Sequence, residues 1–305
     1  MAGKGSLRIT TPRSTMVQTL EVGRRAVSFD RKRRCNPIQG FRNRLRISCT
    51  TLAEQPDKAR GGLPRFHVDD IPKSEGSIVR VEGDEFWHMT KVLRLKVNDR
   101  VELFDGKGVT LEGTVVTVNR HHAEVTAMGS PRILAPVGPN WHVAAAFCTL
   151  KGGRGEWLVE KCTELGARSL TPLITERSFV KSGARSERWE RIAMAATKQC
   201  QRVHAMEITR PSSIGELLPR IDEVDVALVA SAEAPPLFKA LTQLSSIPRS
   251  GIIFVGPEGD FTSKEIDSLI RAGANPVGLG PRRLRVETAA VTLLAGVMLL
   301  GDTDD

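Results

Sequence analysis

Two stretches near the C-terminus carry residue types suited to holding a ligand. One is Gly256-Pro257-Glu258-Gly259-Asp260. The other is Leu279-Gly280-Pro281-Arg282-Arg283-Leu284-Arg285-Val286-Glu287-Thr288-Ala289. Glycines in such loops let backbone N–H and C=O groups reach a ligand with no Cβ in the way. A single loop of this kind reads equally as a helix-entry turn. Two in succession, each rich in Gly and Pro, favour the ligand. Neither is a phosphate fingerprint, because the first lacks the Lys-Ser/Thr of a P-loop and the chain has no G-x-G-x-x-G. Backbone-rich recognition of an adenine- or nucleoside-bearing cofactor fits better.

The surrounding pattern places both loops at the ends of buried strands. From residue 140 onward, apolar strand-like runs alternate with amphipathic helices. Strands are predicted at 141–150, 169–174, 224–230, 252–255 and 276–279, and helices at 156–165, 187–203 and 287–300. Thr262 and Glu265 form a capping-box pair just after the first loop. Such alternation argues for a parallel α/β sheet covered on both faces. Ligands in sheets of that kind bind beyond the carboxyl ends of the strands. Residues 65–129 read differently, as short strands at 65–68, 77–81, 100–104, 110–118 and 123–128 around one helix at 84–95. The helix shows Phe86, Met89, Val92 and Leu93 on one stripe. That spacing suggests a small barrel. Three prolines within 130–139 mark a boundary. The domains expected are therefore a leader (1–62), a barrel (63–133), a linker (134–139) and an α/β domain (140–305).

The net charge of +9 over 305 residues suggests a nucleic-acid binder at first sight. Its distribution does not. Residues 1–62 hold 14 basic and 4 acidic groups, while the other 243 residues hold 30 and 31, a net of −1. The leader is rich in Arg, Ser and Thr and has no apolar period. Its composition suits an organellar transit peptide and lacks a secretory apolar core. A basic RNA-binding arm, or a nuclear signal at Arg31-Lys32-Arg33-Arg34, is the alternative. Ile47-Ser48-Cys49-Thr50 resembles a stromal cleavage region, so chloroplast is expected ahead of mitochondrion. Cys35, Cys49, Cys148, Cys162 and Cys200 show no metal-ligand spacing, and no metal is expected. The apolar run 289–300 is about a dozen residues, short of the ~20 a spanning helix needs, so no membrane partner is expected.

The ordered set of motifs resembles one family. Lys151, Glu160-Lys161-Cys162-Thr163-Glu164-Leu165-Gly166, Pro172, Glu176-Arg177-Ser178 and Ala196-x-x-Gln199-x-x-Arg202 precede the two glycine loops. Arg65-Phe66, His88, Val92-Leu93-Arg94 and Leu103-Phe104-Asp105-Gly106 match in the barrel region. Together, over about 63–301, they are similar to the bacterial-type 16S ribosomal RNA uridine-N3 methyltransferases of the SPOUT superfamily. The resemblance implies a PUA-like RNA-binding barrel followed by an α/β domain with a deep trefoil knot. It implies S-adenosylmethionine as cofactor, a homodimer, and small-subunit rRNA or a 30S-type particle as partner. Carried over residue by residue, the cofactor contacts are Gly256, Pro257, Glu258, Gly259, Leu279, Gly280, Leu284 and Thr288. Asp260 departs from the pattern, which usually has glycine there. The 151–155 loop is also richer in glycine than usual.

Methylation at uracil N3 requires loss of the N3 proton, with negative charge spreading onto O2 and O4. A guanidinium aimed at those oxygens would act as an oxyanion-hole donor does. Arg285 is the leading expectation, with Arg177 and Arg202 next. Glu287 reads either as a base or as a helix-start carboxylate. RNA contacts are expected at Arg94, Lys151, Arg177 and Arg202. Arg94 reads equally as a partner of Asp99, and His88 as a packing residue. Two other functions remain in view, a non-catalytic RNA-binding ribosome assembly factor and a generic nucleotide-binding α/β enzyme.

Overall fold

The computed structural model describes residues 62–147, 153–178, 186–244 and 246–301. The leader reading (bar Gly62), Lys151 and Cys148 lie outside these residues.

The first sheet is built from β1 (Arg65–His67), β2 (Ile78–Glu82), β3 (Arg100–Phe104), β4 (Val109–Val118), β5 (His122–Ala127) and β6 (Arg132–Ile133). Its order is β1-β3-β4-β5-β2, with β6 beside β4. The pairings are antiparallel except β1 with β3. Alternate residues such as Val79, Val81, Val101, Leu103, Val115 and Val125 turn inward onto Phe66 and Met89, as period-2 patterning requires. Gly113 is needed here, since a Cβ would lie 2.4 Å from Val125.

The single helix expected over 84–95 is corrected. A short helix α1 (Gly83–Trp87) opens into a π turn over His88–Val92. The Leu93 amide bonds the His88 carbonyl, and the Leu95 amide reaches back to that of Met89. Each wider turn takes in an extra residue and rotates the next side chains off the core. Met89 is therefore buried while Val92 is 50% exposed. Arg94, with φ +56°, ends the segment.

The second sheet comprises β7 (Asn140–Ala145), β8 (Ser169–Ile174), β9 (Glu207–Ile208), β10 (Ser212–Ser213), β11 (Val226–Ala230), β12 (Ser250–Val255) and β13 (Asn275–Val277). Every pairing in it is parallel, in the order β10-β8-β7-β12-β11-β13 with β9 beside β8. Both faces are buried. Trp141, Val143, Ile253 and Val255 pack on one side with α2 (Arg154–Glu164), α3 (Ser186–Gln199) and α7 (Val286–Gly301). Ala144, Ile252 and Phe254 pack on the other with α4 (Ile214–Leu217) and α6 (Ser263–Arg271). α5 (Leu237–Leu241) closes the β11 side. The strand expected over 141–150 is shorter, ending at Ala145 among the described residues. The helix expected to reach 203 stops at Gln199, because Gln201 takes φ +61° and the Arg202 amide bonds back to Thr197.

Strand β12 enters between β7 and β11 although β11 precedes it in the chain. That late insertion brings the exits of β11, β12 and β13 side by side.

Candidate functional site

A cavity of about 460 Å³ opens at the carboxyl ends of β11, β12 and β13. Gly256, Pro257, Glu258, Leu279, Gly280 and Leu284 line it as expected from the sequence. Gly259 and Thr288 do not. The Gly259 carbonyl instead accepts Arg177 Nη1 at 2.6 Å, and Thr288 is exposed on the first turn of α7. A third wall, Ala230–Ala232, was not anticipated. Strand β11 was legible, but its exit carries no glycine until well past the cavity, so nothing marked it.

Local chemistry explains each wall. In the first loop the Asp260 amide bonds the Pro257 carbonyl at 2.8 Å, closing a turn with Asp260 at φ +63°. Asp260 Oδ1 then accepts the Phe261 amide at 2.7 Å. The Thr262–Glu265 capping box starts α6, and Glu265 Oε1 also takes the Glu176 amide at 2.9 Å. The segment bearing Arg177 is thus braced against the loop at two points. Asn and Asp are the residues besides Gly that adopt left-handed backbone most readily, so Asp260 satisfies the turn that glycine usually makes.

The second loop departs at Gly278. Its amide donates to Pro235 at 2.8 Å and its carbonyl accepts from Leu237 at 3.0 Å. A Cβ there would sit 2.5 Å from the Ala234 carbonyl oxygen. These two hydrogen bonds end the last strand at Val277 rather than at residue 279, and the Ser231 amide, donating to the Val277 carbonyl at 2.9 Å, holds the third wall beside the second. Gly280 takes φ +95° with open space where a Cβ would project. Arg283 Nη2 donates to the Glu258 carbonyl at 2.6 Å, tying the second loop to the first.

The floor is apolar, from Val255, Val277, Leu279 and Leu284. The rim carries the carboxylates of Glu258 and Asp260 and the guanidiniums of Arg282 and Arg283. Arg154 bridges the rim to α7, with Nη1 3.7 Å from Glu258 and Nε 3.8 Å from Glu287. Glu287 is 8% exposed, and its Oε2 has no hydrogen-bond partner among the described residues. It accepts no helix-start amide there, so the capping role is not what it performs. Neither Glu287 nor the exposed Arg285 lines the cavity.

The basic residues expected to meet RNA separate. Arg94 is exposed and has no side-chain partner among the described residues, so the alternative pairing with Asp99 is not formed. Arg177 braces the 256–260 loop. Arg202 is corrected: its guanidinium donates to the Thr163 carbonyl at 2.8 Å and the Ala167 carbonyl at 2.9 Å. It is turned into the protein, where burial lowers its pKa. Arg154, the first residue of α2, is ion-paired with carboxylates. His88 packs edge-on against Phe66. Burial pushes the Cys162 thiol up to about 12, which leaves it unreactive. Among the described residues no His, Cys, Asp and Glu cluster could hold a metal, and no helix is long and apolar enough to cross a membrane.

Comparison with known proteins agrees with this architecture. An RNA methyltransferase domain family matches residues 138–298, and an RNA methyltransferase PUA domain family matches residues 81–128. The chain is similar to "Ribosomal RNA small subunit methyltransferase E" of Synechocystis, 31% identical over 216 residues, covering 70% of each chain. The protein of that name in Bacillus subtilis is 28% identical over 235 residues, covering 73% of this chain and 90% of the relative. The crystal structure of a ribosomal RNA small subunit methyltransferase E from Neisseria gonorrhoeae, bound to S-adenosyl methionine, is 27% identical with a TM-score of 0.69. It covers 79% of this chain and 100% of that one.

Proposed function

Since the chain belongs to the ribosomal RNA small subunit methyltransferase E family, a SPOUT-type RNA methyltransferase with a PUA-like domain, we propose that it methylates small-subunit ribosomal RNA at N3 of a uridine, with S-adenosylmethionine as donor. The carrying observation is the cavity enclosed by the exits of β11, β12 and β13. Its size lies within the ~300–1,000 Å³ of small-molecule sites. An apolar floor suits an adenine ring, and loops rich in Gly and Pro offer backbone groups to its edge. The carboxylates of Glu258 and Asp260 complement a sulfonium, and Arg282 and Arg283 complement an amino-acid carboxylate. When bound, S-adenosylmethionine supplies an electrophilic methyl carbon.

The chain's own residues then have three tasks. Holding the donor and the uracil ring in line supplies much of the rate. The 256–260 and 278–285 loops, locked by Arg177, Arg283 and Gly278, do this on the donor side. Stabilising the charge on O2 or O4 falls to Arg285, whose guanidinium is exposed beside the second loop and has no partner among the described residues. Accepting the N3 proton falls to Glu287, whose buried Oε2 has no hydrogen-bond partner among the described residues. Arg154 holds that carboxylate in place and links it to Glu258.

The working unit is proposed to be a homodimer. The apolar α7, with Leu299 69% exposed, supports it. A monomeric mass at micromolar protein would refute it. Import into an organelle, chloroplast first, rests on the composition of 1–62 and fails if a tagged 1–62 segment stays in the cytosol. The activity is tested by incubating the protein with labelled S-adenosylmethionine and undermethylated small subunits, then digesting the rRNA to nucleosides. Label in 3-methyluridine is expected. Binding to the subunit without label would favour an assembly factor instead. Asp260, the one departure favouring that second function, forms the loop's own turn and does not block the cavity.

A further inference from the structure

A second cleft, of about 650 Å³, lies at the opposite edge of the parallel sheet. One wall is the connector 134–140 between the barrel and the α/β domain. The others are the turns that carry Arg168 and 201–204. Asn140 and Ser169 begin β7 and β8, so Arg168 sits at the amino edge of the sheet. The cofactor cavity sits at the carboxyl edge, about 20 Å away for six-residue strands.

Three observations set this cleft apart. The first is rigid placement of a cation. The Arg168 amide donates to Trp141 at 2.7 Å and its carbonyl accepts from Glu207 at 3.0 Å. Its exposed guanidinium makes no hydrogen bond or ion pair among the described residues. The cleft is lined by two guanidiniums, Arg168 and the inward-turned Arg202. Arg168 contributes to lowering the pKa values of His142, Arg202 and His204, so its field reaches all three. Lys107, exposed on the barrel's turn, pairs through its backbone with His204. Asp105 is the acid that opposes His204, and its Oδ1 already accepts the Lys107 and Val109 amides at 2.7 and 3.0 Å.

The second observation is the tightness of the junction. The Leu134 amide bonds Gly108, and the Ala205 amide bonds Gly106, both at 2.8 Å. A Cβ on Gly108 would meet His204 Nε2 at 2.5 Å. The barrel turn is thus held against both the start of the connector and the 204–205 turn. The third is its wall. Pro136 is exposed and Val137 is 92% exposed beside these cations. A cationic floor next to an exposed apolar wall suits a nucleotide, with phosphate on the one and ribose or base on the other. Free phosphate would gain nothing from the wall.

We propose that this cleft binds the RNA backbone, taking a single-stranded segment of the ribosomal RNA at Arg168 and Lys107 while the target base is presented at the far edge. The proposal deepens the rRNA reading above and rests on it for the identity of the RNA. Phosphate contacts at a distance fix register and orientation without reading sequence.

The test uses the full chain and a small-subunit rRNA fragment, with three readouts: RNA affinity against salt, S-adenosylmethionine affinity, and methyl transfer. Arg168→Ala and Lys107→Ala are expected to weaken RNA binding about tenfold together. Each should reduce the salt slope by about 0.7, the value for one single-strand phosphate contact. KM for RNA rises, while kcat and S-adenosylmethionine affinity hold. Arg168→Lys restores most of the RNA affinity. Unchanged RNA affinity and slope in both alanine variants, with normal transfer by the unaltered chain, overturns the cleft and leaves the activity standing. So does a loss seen only with intact subunits and not with naked RNA, which would indicate a protein partner. Loss of RNA affinity in the variants without transfer by the unaltered chain upholds the cleft and overturns the activity. Competition by inorganic phosphate as strong as by a short oligoribonucleotide also overturns it.

Discussion

Substituting Arg202 separates a structural arginine from an RNA-binding one. The guanidinium donates to the Thr163 and Ala167 carbonyls at 2.8 and 2.9 Å, at the end of α2 and the turn into β8. The Thr163 carbonyl also takes the Gly166 amide at 3.1 Å, so the arginine is a further donor at the helix end, and a cation there also meets the negative end of the dipole. Each hydrogen bond from a charged donor is worth about 1.5–3 kcal/mol net. Water reaches the partly exposed site and replaces some of that, so Arg202→Ala is expected to cost about 2–4 kcal/mol in total. For a body of this size, ~2–4 °C of Tm per kcal/mol gives a fall of about 5–15 °C. Arg202→Lys should recover little, because an ammonium lacks the planar fork that meets both carbonyls. Thermal unfolding by circular dichroism reads the effect, alongside RNA affinity at a temperature where both variants are folded. A Tm within about 1 °C of the parent, with RNA affinity down tenfold, would refute the structural role and restore the reading from sequence.

Glu258→Gln should weaken S-adenosylmethionine binding several-fold but leave the uncharged thioether product almost unaffected. Calorimetric titration with both ligands checks this, and equal losses would remove the sulfonium argument. Gly278→Ala should cost at least tenfold in cofactor affinity, since a Cβ 2.5 Å from the Ala234 carbonyl oxygen must push away the 234–235 segment that continues the third wall; unchanged affinity would mean that wall is not part of the site. His142, its pKa lowered to about 4 by burial first and then by Arg220 and Arg168, is neutral in the folded protein at pH 7. The unfolded chain takes up its proton near 6.5, so this group's stabilisation is complete above that pH and drains away as pH falls from 6.5 towards 4. His142→Gln should lose less stability than the parent across that window in urea titrations, and parallel losses would show that His142 does not titrate as described.

What the sequence made legible was what depends on local pattern. The apolar strands, the Thr262–Glu265 box and the two glycine loops are each written in a few adjacent residues, and the cavity followed from their order. What it hid depends on where a side chain goes after folding. Arg177 and Arg202 look alike in the chain, yet one braces a loop and the other seals a helix end. The 84–95 stripe obeyed helical spacing, but a π turn after Trp87 swung Val92 and Leu93 away from the core. The third cavity wall at 230–232 carried no signal, because it is held in place by the Val277 carbonyl, nearly fifty residues later.

A body with net charge near −1 looks ill suited to a polyanion, but the net value hides how acids and bases are paired. Glu102 is taken by Arg65 and Arg132, Glu85 by Lys198, and Glu156 by both ends of Arg188. The side chains of Arg94, Lys107 and Arg168 have no such partners among the described residues. Coulomb attraction to phosphate falls off within about 8 Å at physiological salt, so a strand senses these local charges rather than the sum. If they are the RNA contacts, removing each in turn should lower the salt slope of RNA binding by about 0.7, and the effects should add, because the three residues lie on different elements. Arg188→Ala, whose charge Glu156 already neutralises, should leave the slope alone. A slope that tracked total charge, falling equally for Arg188 and Arg168, would show that pairing does not select the contacts.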